Sequence, residues 1–225
     1  DVTIDEIDTA ANRFRVTDTY LIAEETGPFS FGFAEIPQGR LDRISDVEVF
    51  ENRSALRASC AGAAGTFCAR AEGDNFTIQY YFTSPMRTGE RREFIIRNTV
   101  YGALRSYEKG DQLYWVAVPG DLSFPVLAST VRVIMPADRP PQLVASYPAT
   151  WAQSVEGNTI TWQSPGRLPR GQEFEVRVQY EHDPAMKKPS WQAAYDRERT
   201  YKDKWQPLVS LLILALSTLL SIGGV

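Results

Sequence analysis

The amino-acid sequence predicts an all-β protein, an antiparallel β-sandwich that forms one body or two sub-sandwiches, with one transmembrane helix at its carboxyl end. Three observations predict it. Short runs of residues alternate apolar with polar side chains, which is the period of a half-buried strand. Pro, Gly, Asn and Asp gather between those runs, as turns require. No charged residue interrupts residues 207–225. The expected organisation is therefore a β domain over residues 1–184, a juxtamembrane connector over 185–204 and a membrane helix over 205–225.

The elements follow in order. In residues 14–22, Phe14, Val16, Tyr20 and Ile22 fall on one face and Arg15, Thr17 and Thr19 on the other. Residues 29–33 (FSFGF) continue the aromatic alternation, with Gly32 a candidate bulge. Residues 44–50 give the next strand, after a turn-rich gap. Further on, Phe76, Ile78, Tyr80 and Phe82 alternate with Thr77, Gln79 and Tyr81, and residues 94–101 form another apolar run. Strands are also expected at 112–118 and 126–135, the latter stopped by Pro136. The stiff segment 137–142 (ADRPPQ) is where two sub-sandwiches would divide. Beyond it lie short strands at 143–147 and 159–162. The last strand is the most regular: Phe174, Val176, Val178 and Tyr180 face inward and Glu173, Glu175, Arg177 and Gln179 face water. Before Lys187 no segment carries a long helical period.

Cys60 and Cys68 bracket a loop rich in Gly and Ala (CAGAAGTFC), and an even cysteine count in an exported domain favours a disulfide between them. A chain beginning at Asp1 rather than Met fits either a removed signal peptide or a fragment. Residues 189–205 are polar with interspersed aromatics and suit a helix leading into the apolar run. That run rises ~1.5 Å per residue, enough to cross a hydrocarbon core of ~30 Å. Trp205, Lys202 and Lys204 stand at its entrance, the aromatic and snorkelling-cation arrangement of a membrane interface. Ser210, Ser217 and Ser221 share one helical face, where a neighbouring helix would pack closely unless the hydroxyls bond back to their own backbone.

Leu113-Tyr114-Trp115, the valine-rich strand ending in Met135-Pro136, Glu156-Gly157-Asn158, and Leu168-Pro169-Arg170-Gly171-Gln172 come in this order before an alternating strand. That order resembles the predicted membrane proteins of the domain-of-unknown-function family 2207, over roughly residues 20–180 and into the following helix. The resemblance implies a signal peptide, an extracytoplasmic β-rich domain and a membrane helix. It implies no reaction and no catalytic residues.

The residues themselves offer little chemistry. Formal net charge is −4, with Lys and Arg scattered among Asp and Glu, which disfavours nucleic-acid binding. The one histidine, His182, adjoins Glu181 and Asp183, but neighbours on a strand point to opposite faces and no nucleophile motif accompanies it. Glu24-Glu25 and residues 90–93 read as solvated charge rather than a glycosidase pair. Asp42, Asp46 and Glu48 lack the defined calcium-loop spacing. No phosphate-binding loop or nucleophile elbow is present, and no cofactor is expected.

Two functions compete. The favoured one is a non-enzymatic, single-pass, membrane-anchored extracytoplasmic β domain, the carboxyl end cytoplasmic, acting as an interaction or accessory subunit. It would contact the lipid bilayer and a membrane-protein partner through the helix and the juxtamembrane aromatics Trp191, Tyr195 and Tyr201. The alternative is a surface carbohydrate-binding or glycan-processing module that uses Trp115, Trp151 and Trp162 as a platform.

Overall fold

The computed structural model describes residues 1–23, 28–122 and 124–202. The chain divides into two compact units, Asp1–Pro189 and Ser190–Val225. The described residues are mostly β, with three sheets and one short helix.

The first unit holds all the strands of the described residues. In chain order they are β1 (Val2–Asp8), β2 (Arg13–Ala23), β3 (Phe29–Pro37), β4 (Arg43–Glu51), β5 (Ser54–Ala55), β6 (Arg57–Ala58), β7 (Thr66–Glu72) and β8 (Asn75–Met86). There follow β9 (Arg91–Tyr101), β10 (Asp111–Val118), β11 (Thr130–Ile134), β12 (Leu143–Tyr147), β13 (Ala152–Glu156), β14 (Thr159–Gln163) and β15 (Phe174–Tyr180). An eight-stranded sheet runs β13-β14-β11-β1-β2-β9-β4-β5; the others run β10-β15-β12 and β3-β8-β7-β6. The expectation of a wholly antiparallel fold needs correction at two places. β1 pairs parallel with β11, and β6 parallel with β7. The first pair joins strands far apart in sequence, so no hairpin dictates its direction.

One face of the long β2–β9 pair carries two hydrophobic cores. Along it β2 presents Phe14, Val16, Asp18, Tyr20 and Ile22, opposite Val100, Asn98, Ile96, Phe94 and Arg92 of β9. The lower half joins Ile4, Val131, Ile160 and Trp162 to Leu113, Val176 and Val178 of the three-stranded sheet. The upper half joins Val49, Phe94 and Ile96 to Phe67, Ile78, Tyr80, Phe82 and Met86 of the four-stranded sheet. The cores therefore meet along β2 and β9, whereas segment 137–142 only links β11 to β12.

Asp18 and Asn98 lie where the cores meet. Among the described residues neither amide atom of the fully buried Asn98 has a hydrogen-bond partner. Burial pushes the Asp18 carboxyl up to about 7, against the pull of the Asp1 ammonium. It also pushes the Tyr20 and Tyr80 hydroxyls above the usual phenol range, Asp18 adding to the rise in both.

In the second unit, helix α1 spans Gln192–Thr200. Trp191 and Tyr195 meet edge to face at 5.8 Å, and Tyr201 is exposed. Lys202 pairs with Glu198 one helical turn back, at 2.7 Å. Lys204, Trp205, Ser210, Ser217 and Ser221, with the whole predicted membrane helix, lie outside the described residues. Among the described residues no helix is long and apolar enough to cross a membrane.

Candidate interaction face

The edge strand of the four-stranded sheet exposes its phenylalanines. In β3, Phe29, Phe31 and Phe33 are 51%, 48% and 63% exposed, while Gly32, Ala34 and Ile36 point toward the upper core. The cause is the neighbouring strand. Tyr80 of β8 lies opposite Gly32 in regular register, and a β-carbon at position 32 would stand 2.5 Å from its ring. Tyr80 thus fills the volume a β3 side chain would occupy, stacked on Phe82 at 5.9 Å and tilted against Phe94 at 5.2 Å. Gly32 is not the expected bulge; the register shifts between Phe29 and Phe31.

On the outer face, Phe31 lies beside Tyr81 with ring centroids 6.2 Å apart, and Phe33 lies opposite Gln79. β3 is an edge strand with no charge over residues 29–34. Edges of natural sheets are usually blunted by charge or proline to prevent further pairing, and this one is not until Glu35 and Pro37.

The loop between Cys60 and Cys68 borders this face. The two cysteines are joined, with Cα atoms 4.6 Å apart. Ser59 N–H donates to Phe67 O at 2.8 Å, and Thr66 Oγ1 to Ala63 O at 2.6 Å, which holds the loop against β7. Gly62 has φ 74°, and a β-carbon there would meet the Tyr81 ring at 3.4 Å.

From below, a buried ion pair clamps the end of β8. Glu51, 3% exposed, meets Arg92 at 2.8 Å and accepts the Thr83 N–H at 2.7 Å. Arg92 also donates to Ser84 O and pairs with Glu90. Glu90 is held below the usual carboxylate range by the Arg87 N–H and then by Arg92. Residues 90–93 thus serve a structural clamp. Glu24 and Glu25 lie outside the described residues.

A second polar cluster surrounds His182, with a partner that the sequence did not reveal. His182 Nδ1 stands 2.9 Å from Oδ1 of Asp111, a fully buried carboxylate that also accepts the N–H groups of Tyr107 and Asp183. Asp111 is remote in sequence and carries no motif, so only the pairing of β10 with β15 brings it there. Asp183 accepts from the Thr9 hydroxyl and the Ala185 N–H, with Arg139 3.7 Å away; these partners hold its carboxyl below the usual range. Asn12 Nδ2 donates to Leu104 O and Lys187 O. These bonds fasten residues 182–187, where the chain leaves the body.

The other candidates do not converge. Asp46 is held by the Ser45 hydroxyl, and among the described residues no group of three or more His, Cys, Asp or Glu is placed to hold a metal ion. Trp162 is fully buried and Trp151 stacks on Phe174 at 3.6 Å, so neither offers a face to a sugar. Trp115 packs edge-on against Phe14 at 5.4 Å.

A family model described as "Predicted membrane protein (DUF2207) N-terminal domain" matches residues 16–180. No curated protein matches the chain. Among solved structures, an M1 zinc metallopeptidase from Deinococcus radiodurans is similar at 14% identity and TM-score 0.47, over 79% of this chain and 40% of that one. An aminopeptidase N family protein from Idiomarina loihiensis is similar at 11% identity and TM-score 0.39, over 78% of this chain and 28% of that one. The pilus 2b backbone protein of group B streptococcus is similar at 12% identity and TM-score 0.37, over 81% and 80%. The chain thus spans less than half the length of the peptidases it matches.

Proposed function

The chain belongs to the family of predicted membrane proteins designated DUF2207, and from that membership we propose that it is a non-enzymatic, membrane-anchored extracytoplasmic β domain serving as an accessory subunit of a membrane assembly. In this reading residues 205–225 are the single span, with the carboxyl end cytoplasmic, and the β-rich body is a sandwich held outside. The observation that carries the proposal is the outward pair Phe31 and Phe33, with Phe29 exposed on the same strand, on an uncharged sheet edge. Contiguous exposed apolar surface of this kind marks an interaction site, and covering one phenylalanine contributes about 1.5–3 kcal/mol.

The test is a blue-native separation of native membranes, with the full chain tagged. The wild type should migrate in a larger complex, and Phe31→Ser with Phe33→Ser should release it as a free protomer that keeps its fold. A wild type that migrates only as a monomer would remove the basis of the accessory reading.

A further inference from the structure

At the start of β15 two loops meet through a bridge between Val126 and Leu168, and Pro125, Arg167, Pro169 and Arg170 line a cleft of about 360 Å³ between them. We propose that this cleft receives an acidic segment of a protein partner that also carries apolar side chains.

Charge is the first argument. Arg167 and Arg170 are exposed, and among the described residues neither meets a carboxylate, in a chain whose formal net charge is −4. Two guanidinium groups on either side of Pro169 suit carboxylates, which they bind in forked pairs.

Apolar exposure is the second argument. Phe124 and Leu127, on either side of Pro125-Val126, are 49% and 64% exposed. A phosphate polymer would neutralise the arginines and leave both side chains in water. An acidic polypeptide with its own aliphatic or aromatic residues covers all four.

The full chain in non-ionic detergent should bind a short fluorescein-labelled peptide alternating Glu and Asp with Leu and Phe, and raised salt should weaken the binding. Arg167→Glu with Arg170→Glu should weaken it about tenfold or more. Phe124→Ser with Leu127→Ser should weaken it about threefold. All four positions are exposed, so an unchanged circular dichroism spectrum and melting temperature confirm that the fold is kept. Equal binding of the Lys-substituted peptide, or indifference to the arginine reversal, would overturn the proposal. Equivalent arginine-dependent binding of inorganic phosphate or of phosphatidylglycerol vesicles would overturn it too, by assigning the cleft to phosphate. Carbonate extraction separates the two readings: a protein that is extracted yet still binds the peptide has lost its anchor assignment, not this one.

Discussion

β15 and β3 are both alternating strands, and they face opposite ways. In β15 the large side chains Phe174, Val176, Val178 and Tyr180 are all fully buried. In β3 the phenylalanines stand outside and Gly32, Ala34 and Ile36 stand inside. β15 runs between β10 and β12 and supplies the middle of one side of the lower core. β3 lies at an edge, over a core already filled by Tyr80 and Phe82 of its neighbour. Alternation therefore defines two faces, and the volume supplied by adjoining strands decides which of them is inside.

That contrast can be broken at either strand. Phe174→Ala should destabilise the protein most, by about 3–5 kcal/mol in urea unfolding, because it empties a fully enclosed site and strips the stacking partner from Trp151. A cost near zero would mean that the lower core is not closed over β15.

The seam between the cores should give an intermediate effect with a definite pH sign. Asp18 rises from 3.8 to about 7 in the folded protein, so the fold prefers it protonated. Its contribution is intact below about 3.8, is lost as pH climbs toward about 7, and is absent above that. Unfolding midpoints should accordingly rise as the buffer is taken from neutral to mildly acidic. Asp18→Asn should flatten this dependence and stabilise the protein above neutrality by about 2 kcal/mol, roughly half the full linkage because Asp18 keeps partial solvent contact. A profile unchanged by the substitution would show that the seam is hydrated.

Phe33→Ala should have the smallest effect, within about 0.5 kcal/mol, as expected for a side chain that leaves water to nothing within its own chain. A loss comparable to that at Phe174 would place Phe33 in a core and withdraw the aromatic face.

Much of the fold was legible because alternation is local. The faces of β2 and β15, the run from Phe76 to Phe82 and the stop at Pro136 can all be read from a few consecutive residues. The Cys60 and Cys68 pair was legible from spacing and count. β13 was not, since all its residues are exposed and it has no apolar face to announce it. Long-range features were also hidden. Nothing near His182 points to Asp111, and nothing in β1 says that it pairs with β11. Gly32 was noticed for a reason that proved local and wrong; the real one lies across the sheet, in the ring of Tyr80. Arg170 was visible only within the run 168–172 and Arg167 not at all, because the bridge from Val126 to Leu168 is what brings their loop to Pro125.

The parallel pairing of β1 with β11 also sets a schedule. β1 sits inside the eight-stranded sheet, with β2 on one side and β11 on the other. In a chain made from its amino end, β1 and β2 emerge well before β11 and can form a hairpin at once. Half of β1 then waits with an open edge until Thr130–Ile134 has been synthesised. Closing so long a loop is slow compared with hairpin formation. β1 is thus enclosed on its second side only long after it has emerged, although β2 lies beside it from the start.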